Sequence, residues 1–98
     1  MIDYEKKLAN FYGEDGKLKQ YPPKKPMRII ALSKIAEAFE SSRKYTEKEV
    51  NEIIRNNIVF NDVELIRREM FVYNIIGRLR DGSEYWLEDN WRDKIKEI

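Results

Sequence analysis

Two adjacent arginines, Arg67 and Arg68, and two more separated by one residue, Arg78 and Arg80, are the side chains best suited to recognition chemistry in this sequence. A guanidinium group carries a permanent charge and a planar fork of donors, so it suits phosphate oxygens and the edge of guanine alike. A second basic group, Lys24, Lys25 and Arg28, adds charges of the kind that neutralise phosphates.

Catalysis finds little material here. With no histidine and no cysteine, the chain lacks the usual neutral-pH acid/base, the commonest metal ligand, and all thiolate and disulfide chemistry. The carboxylates include no pair whose spacing argues for general acid/base work, and Thr46 and Ser83 have no histidine to activate them. Asp15-Gly16 suits a turn and lacks the length of a calcium loop. The expectation is a non-enzyme with no metal and no organic cofactor.

Ninety-eight residues suit one domain with a modest core. At 42% hydrophobic and 38% charged, with few Gly and Pro, the composition is that of a folded domain and not of a disordered one. No run approaches the roughly 18 to 20 apolar residues of a membrane span, and MIDYEKKLANFYGED lacks the apolar stretch of a secretory signal. The expected location is therefore cytoplasmic, with no membrane partner. The net charge is only +1, but between Lys17 and Lys44 eight Lys/Arg stand against two Glu. Such asymmetry either steers a polyanion to one face or is a solvated surface balanced by acids elsewhere in the fold.

The elements that must position these groups follow from spacing. Residues 3 to 12 predict a short helix with Asp3 as its cap and Leu8, Phe11 and Tyr12 on its apolar side, broken by GEDGK. LKQYPPKKP predicts an extended connector, because Pro22, Pro23 and Pro26 lack backbone donors, with Leu18 and Tyr21 pinning it to the domain. MRIIALSKIAEAFESS predicts a helix with Ile29, Leu32, Ile35, Ala36 and Phe39 on one stripe and Lys34, Glu37 and Glu40 off it.

In KYTEKEVNEIIRN, Thr46 and Glu49 have the spacing of a capping box, and Tyr45 and Val50 that of a hydrophobic staple. A helix over 47 to 56 follows, burying Val50, Ile53 and Ile54. Asp62 can cap a third helix in which Val63, Ile66, Met70 and Tyr73 recur every three or four residues, with Asn74 ending it in a left-handed conformation. GRLRDGSEYWLE predicts a hairpin turned at Asp81-Gly82. Tyr85 and Trp86 must point to opposite faces, one into the core and one semi-exposed. DNWRDKIKEI predicts a short closing helix, capped by Asp89 or Asn90, with Trp91 and Ile95 facing inward.

This order predicts an α+β domain of winged helix-turn-helix type: a three-helix core, a C-terminal two-stranded wing and short flanking helices. One domain is expected over 1–98, with an N-terminal helix and Pro/Lys connector over 1–27, a core over 28–88 and a C-terminal helix over 89–98. In that architecture the third core helix enters a major groove while the wing reaches phosphates. Arg67 and Arg68 would then contact groove or backbone, Arg78 and Arg80 would act from the wing, and Lys24, Lys25 and Arg28 would hold flanking phosphates. Duplex DNA binding in transcriptional regulation is the leading expectation.

The alternative is a non-catalytic protein-interaction or regulatory module, including self-association. Its basis is the acid at the start of the presented helix, Asp62 and Glu64, and in the helix before it, Glu47, Glu49 and Glu52. Carboxylates there repel a phosphate backbone, and Arg67 and Arg68 could pair internally with Glu37, Glu40, Glu49 or Glu52.

Three longer stretches, FYGEDGKLKQYPPKKPMRIIAL, YTEKEVNEII and DVELIRREMFVYNIIGR, followed by YW, resemble the bacterial domain family DUF2087 over roughly residues 11 to 86. The family's entry resembles Phe11, Asp15, Gly16, Leu18 and Pro22, and its basic connector resembles Lys24, Lys25 and Arg28. Its acid-rich helix start is similar to Tyr45, Thr46, Glu47, Glu49, Val50 and Asn51. Its presented-helix signature is similar to Asp62, Ile66, Arg67, Arg68, Glu69 and Met70, with Tyr85 and Trp86 closing the match. Where the family often has Asp and Gly after that signature, this chain has Val72 and Asn74. The resemblance implies a domain of regulatory proteins, since members sometimes occur attached to DNA-binding or acetyltransferase-like regions.

Overall fold

Capping chemistry decides where most of the helices begin. The computed structural model describes residues 3–96; residues 1–2, and residues 97–98 at the end of the expected closing helix, lie outside the described residues. Asp3 Oδ1 accepts from the Lys6 amide at 3.1 Å, opening α1 (Tyr4–Leu8), which tightens into a 3₁₀ turn over Ala9–Phe11. Before α3 (Glu47–Arg55), Thr46 Oγ1 accepts from the Glu49 amide at 3.1 Å while the Glu49 carboxylate accepts from the Thr46 amide at 2.9 Å. This reciprocal box satisfies two orphan donors at once. Asp62 Oδ1 accepts from the Leu65 amide at 3.3 Å at the start of α4 (Val63–Val72). Asn74 follows at φ 59°, and the chain turns back so that the Ile75 amide donates to the Met70 carbonyl at 2.9 Å.

The longest helix, α2 (Lys25–Ala36), departs from expectation at both ends. It begins inside the proline-rich connector, because Pro26 sits in the first helical turn, where a missing amide is no loss. It stops well before the serine pair. Phe39 packs edge-on against Tyr45, with ring centroids 5.2 Å apart, and the Tyr45 hydroxyl accepts from the Glu40 amide at 2.7 Å. Those contacts hold residues 37–40 as a turn, and Ser42 adopts φ 66° beyond it. A single apolar stripe was also too narrow an expectation: Met27, Ile29, Ile30, Ala31, Leu32, Ser33, Ile35 and Ala36 are all buried. The helix is covered on several sides, by α1, α4 and α5 (Asp93–Lys96).

Leu18 pins the connector as expected. It is fully buried, its amide donates to the Asn57 carbonyl at 3.0 Å, and its carbonyl accepts from Val59 at 2.8 Å. Pro22 is buried with it, and Tyr21 lies half-buried against the core.

After α4 comes an antiparallel hairpin of β1 (Ile76–Arg78) and β2 (Tyr85–Leu87), with Ile76 opposite Leu87, Gly77 opposite Trp86 and Arg78 opposite Tyr85. Gly82 supplies φ 76° in the turn, and its amide donates to the Leu79 carbonyl at 2.9 Å. A two-stranded hairpin is marginal alone. Here Ile76, Tyr85 and Leu87 enter the core, and Tyr45 exchanges two 2.8 Å backbone hydrogen bonds with Tyr85. Tyr85 is buried and Trp86 half-buried, as the strand alternation requires. Trp91 is buried, but Ile95 is 38% exposed, contrary to expectation. The one-turn α5 is anchored by the Trp91 that precedes it, leaving its own face open.

The result is an α+β domain with a helical core of α2, α3 and α4 and a C-terminal two-stranded antiparallel sheet. Leu32, Val50, Ile54, Ile66, Met70, Ile75 and Ile76 form its fully buried centre, each of the large side chains contributing about 1.5–3 kcal/mol relative to exposure.

Candidate functional site

A recess of about 260 Å³ opens where α3, α4 and the hairpin meet, lined by Glu47, Arg67, Arg68, Phe71, Arg78 and Tyr85. Three of the basic residues singled out in the sequence therefore converge on one place. They do so in different states.

Arg67 is a structural cation. Its side chain is only 18% exposed; Nη1 donates to Asn51 Oδ1 at 2.5 Å and Nη2 lies 3.8 Å from Glu47 Oε1. Glu47 and Asn51 are four residues apart on α3 and so share a face, which lets one guanidinium fork engage both. The internal partners are thus Glu47 and Asn51, and not Glu37, Glu40, Glu49 or Glu52. Arg68, one position on, points to solvent and pairs with Glu64 at 3.3 Å across one helical turn.

Arg78, at the end of β1, lies over the Phe71 ring at 5.1 Å, and its Nη1 donates to the Arg80 carbonyl at 3.4 Å. Arg80 itself is exposed in the hairpin turn. Opposite Arg78, the Tyr85 hydroxyl donates to Glu47 Oε1 at 3.0 Å. Burial, reinforced by Glu47, raises the Tyr85 phenol above its ordinary value, so it remains a proton donor.

The other basic group sits elsewhere. Arg28 Nε donates to the Pro22 carbonyl at 2.7 Å, its guanidinium lies over Tyr21 at 4.9 Å, and Nη1 is 3.9 Å from Glu69. Tyr21 donates to the same Glu69 at 3.0 Å, and burial followed by that bond holds its phenol above the usual range. Lys25 stands over Tyr73 at 5.9 Å, and Lys24 is exposed just ahead of α2. At about 100° per residue, Glu69 and Tyr73 lie on the flank of α4 away from Arg67 and Phe71. The two cationic groups straddle α4, and Arg28 works as a clasp between the connector and that helix.

Glu47, Asn51, Phe71 and Tyr85 are the members of this site whose part in it the sequence did not reveal. The i,i+4 spacings Glu47–Asn51 and Arg67–Phe71 were visible signals of shared faces. Nothing local told which faces would meet.

Among the described residues no group of three or more His, Cys, Asp or Glu side chains could hold a metal ion, and no helix is long and apolar enough to cross a membrane.

Three packed helices, a hairpin wedged against them and a charged recess at the junction define a small α+β domain. Residues 17–87 match the family described as "Uncharacterized protein conserved in bacteria (DUF2087)", and the chain belongs to that family. The Phe11–Gly16 entry lies ahead of the matched span. No curated protein and no solved structure matches the chain.

Proposed function

We propose that the domain is a winged-helix module that binds duplex DNA in cytoplasmic transcriptional regulation, with α4 as the presented helix and the hairpin as the wing. The observation that carries this is the convergence of Arg67, Arg68 and Arg78 on the recess between those two elements. Arg68, Arg78 and Arg80 supply phosphate or base contacts, and Lys24 and Lys25 supply flanking ones. Arg67 braces the recess from behind through Glu47 and Asn51. Arg28 acts indirectly, by fixing the connector that carries the two lysines. The module is non-catalytic and uses no cofactor.

The test is a titration of mixed-sequence duplex at low and moderate salt. Affinity should fall with a log–log slope of about −0.9 per phosphate neutralised, and Arg68→Glu and Arg78→Glu should each weaken binding and flatten the slope. No detectable binding at low salt overturns the proposal.

A second function, a protein-interaction or self-association module, is favoured by exposed apolar side chains beside the same cations: Val72 is 58% and Leu79 42% exposed. Sedimentation of the chain over a concentration series separates the two. A salt-insensitive dimer that loses its association on Val72→Ser, in a protein that ignores DNA, would establish this alternative.

A further inference from the structure

Three guanidinium groups and one carboxylate line the recess, a surplus of two positive charges around about 260 Å³. The carboxylate is already engaged: Glu47 Oε1 accepts from Tyr85 at 3.0 Å and faces Arg67 Nη2 at 3.8 Å. Arg67 is in turn held by Asn51. That leaves Arg68 and Arg78 to answer an incoming ligand. Arg68 has one exposed carboxylate partner a helical turn away, a kind of pair that is weak and exchanges readily with a competing anion. Arg78 has no carboxylate within 4.0 Å among the described residues. The Phe71 ring supports its guanidinium without neutralising it.

Gly82, in the hairpin turn, stands beside three of the lining side chains. A Cβ at that position would stand 3.8 Å from Arg78 Nη1, 3.9 Å from Glu47 Oε1 and 4.0 Å from Tyr85 Oη, so the missing side chain keeps the turn from filling the space. A liquid water occupies about 30 Å³, so the recess has room for a tetrahedral anion together with waters that keep part of its hydration.

We propose that this recess is a binding site for a single phosphate group, with Arg68 and Arg78 as its ligating guanidinium forks, Arg67 as a fixed positive wall and Gly82 leaving the space beside them open. Guanidinium forks match the spacing of phosphate oxygens and bind them through charge-assisted pairs. A phosphate of a DNA backbone and the terminal phosphate of a small molecule present this same chemistry. The site stands on the recess itself and deepens the DNA proposal only if the phosphate proves to be carried by nucleic acid.

The test is an NMR titration of the full chain with inorganic pyrophosphate, following backbone amides. The amides of Arg78, Gly82 and Tyr85 should shift saturably, with a dissociation constant on the order of millimolar. The Arg68→Ala/Arg78→Ala double variant, at two exposed positions, should weaken this by roughly tenfold or more. Gly82→Asn, which keeps a left-handed turn while placing a side chain beside Arg78, should also weaken it. Arg43→Ala, which disturbs pairs with Glu40 and Glu49 on another face, should leave it unchanged. Absence of saturable shifts, or equal binding by the double variant with its amide dispersion intact, overturns the site. A duplex that competes with pyrophosphate assigns the phosphate to nucleic acid. A duplex that fails to compete, while pyrophosphate still binds, keeps the site for a free phosphorylated molecule and removes the DNA proposal alone.

Discussion

The Tyr85 hydroxyl donates to the Glu47 carboxylate at 3.0 Å, so the first turn of α3 is tied to the second strand of the hairpin by one side-chain bond. The same carboxylate oxygen faces the Arg67 guanidinium, which makes Glu47 the hinge between three elements.

Removing that carboxylate should therefore cost more than removing the hydroxyl. Glu47→Ala leaves the mostly covered Arg67 and the buried Tyr85 hydroxyl each short of a partner, for a loss of about 1–2 kcal/mol. Half-exposure of Glu47 keeps the figure in that low range. Tyr85→Phe should cost about 0.5–1 kcal/mol, because water can replace the lost donor at Glu47. Urea unfolding of both singles and the double should give a coupling energy of about 0.5–1 kcal/mol; additive losses would show that the bond contributes nothing.

Asn74 adopts φ 59°, a conformation that costs most side chains about 1–2 kcal/mol. Asn74→Gly should leave stability unchanged or raise it slightly, whereas Asn74→Val should lower it by about 1–2 kcal/mol. Thermal unfolding of the pair checks the order, and a Val variant as stable as the parent would contradict it.

Gly77 is the β1 residue whose lack of a side chain matters for packing. A Cβ there would collide with the Trp86 indole and with Glu88, the pair joined by a 2.6 Å hydrogen bond from Trp86 Nε1. Gly77→Ala must push the indole off its partner, so a loss of about 1–3 kcal/mol is expected. A shifted tryptophan emission should accompany it. An unchanged spectrum together with unchanged stability would count against the packing seen at this strand.

At high pH the tyrosines should unfold the domain. Burial, with Glu37 adding a smaller push, raises the Tyr12 phenol to about 12. Well below the ordinary tyrosine value of about 10 it is protonated in both states and contributes no pH dependence. Above that, the unfolded chain releases the proton that the folded chain retains, so stability falls as pH rises toward about 12. Tyr21 and Tyr85 shift in the same direction. Urea midpoints taken between about pH 8 and pH 11 should decline, and Tyr12→Phe should make that decline shallower by the share of one proton. At neutral pH the same variant should be neutral or stabilising, since the Tyr12 hydroxyl is buried with no hydrogen-bond partner among the described residues. A parallel decline in parent and variant would refute the assignment to Tyr12.

Much of the fold was legible because its signals are local. The Thr46–Glu49 box, the Asp3 and Asp62 caps, the left-handed Asn74 and the turn at Gly82 all stand as their residue types imply. The early start of α2 was not legible because proline is a helix breaker everywhere but in the first turn, where Pro26 stands. The early end was missed because Phe39 continued the apolar spacing, while its partner Tyr45 lies outside the helix and pulls the backbone away from it. Ile95 fitted an inward stripe, but one turn of helix cannot bury both it and the opposite face.

The candidate site divides along the same line. Which residues could bind an anion was set by the sequence alone, as were the caps and turns, because those depend on side-chain chemistry and on bonds between residues two to four apart. Which cations stand together was decided only by tertiary packing. Arg67 and Arg68 are neighbours with equal charge, yet the first is drawn beneath α3 by Asn51 and Glu47 while the second faces water. Arg28 is turned onto Tyr21 and Glu69, on the far flank of α4. The reason is physical: a long flexible cation surrounded by many acids has no preferred partner until the packed helices fix the distances, and the attraction that selects among them depends on those distances and on how much water remains between the charges.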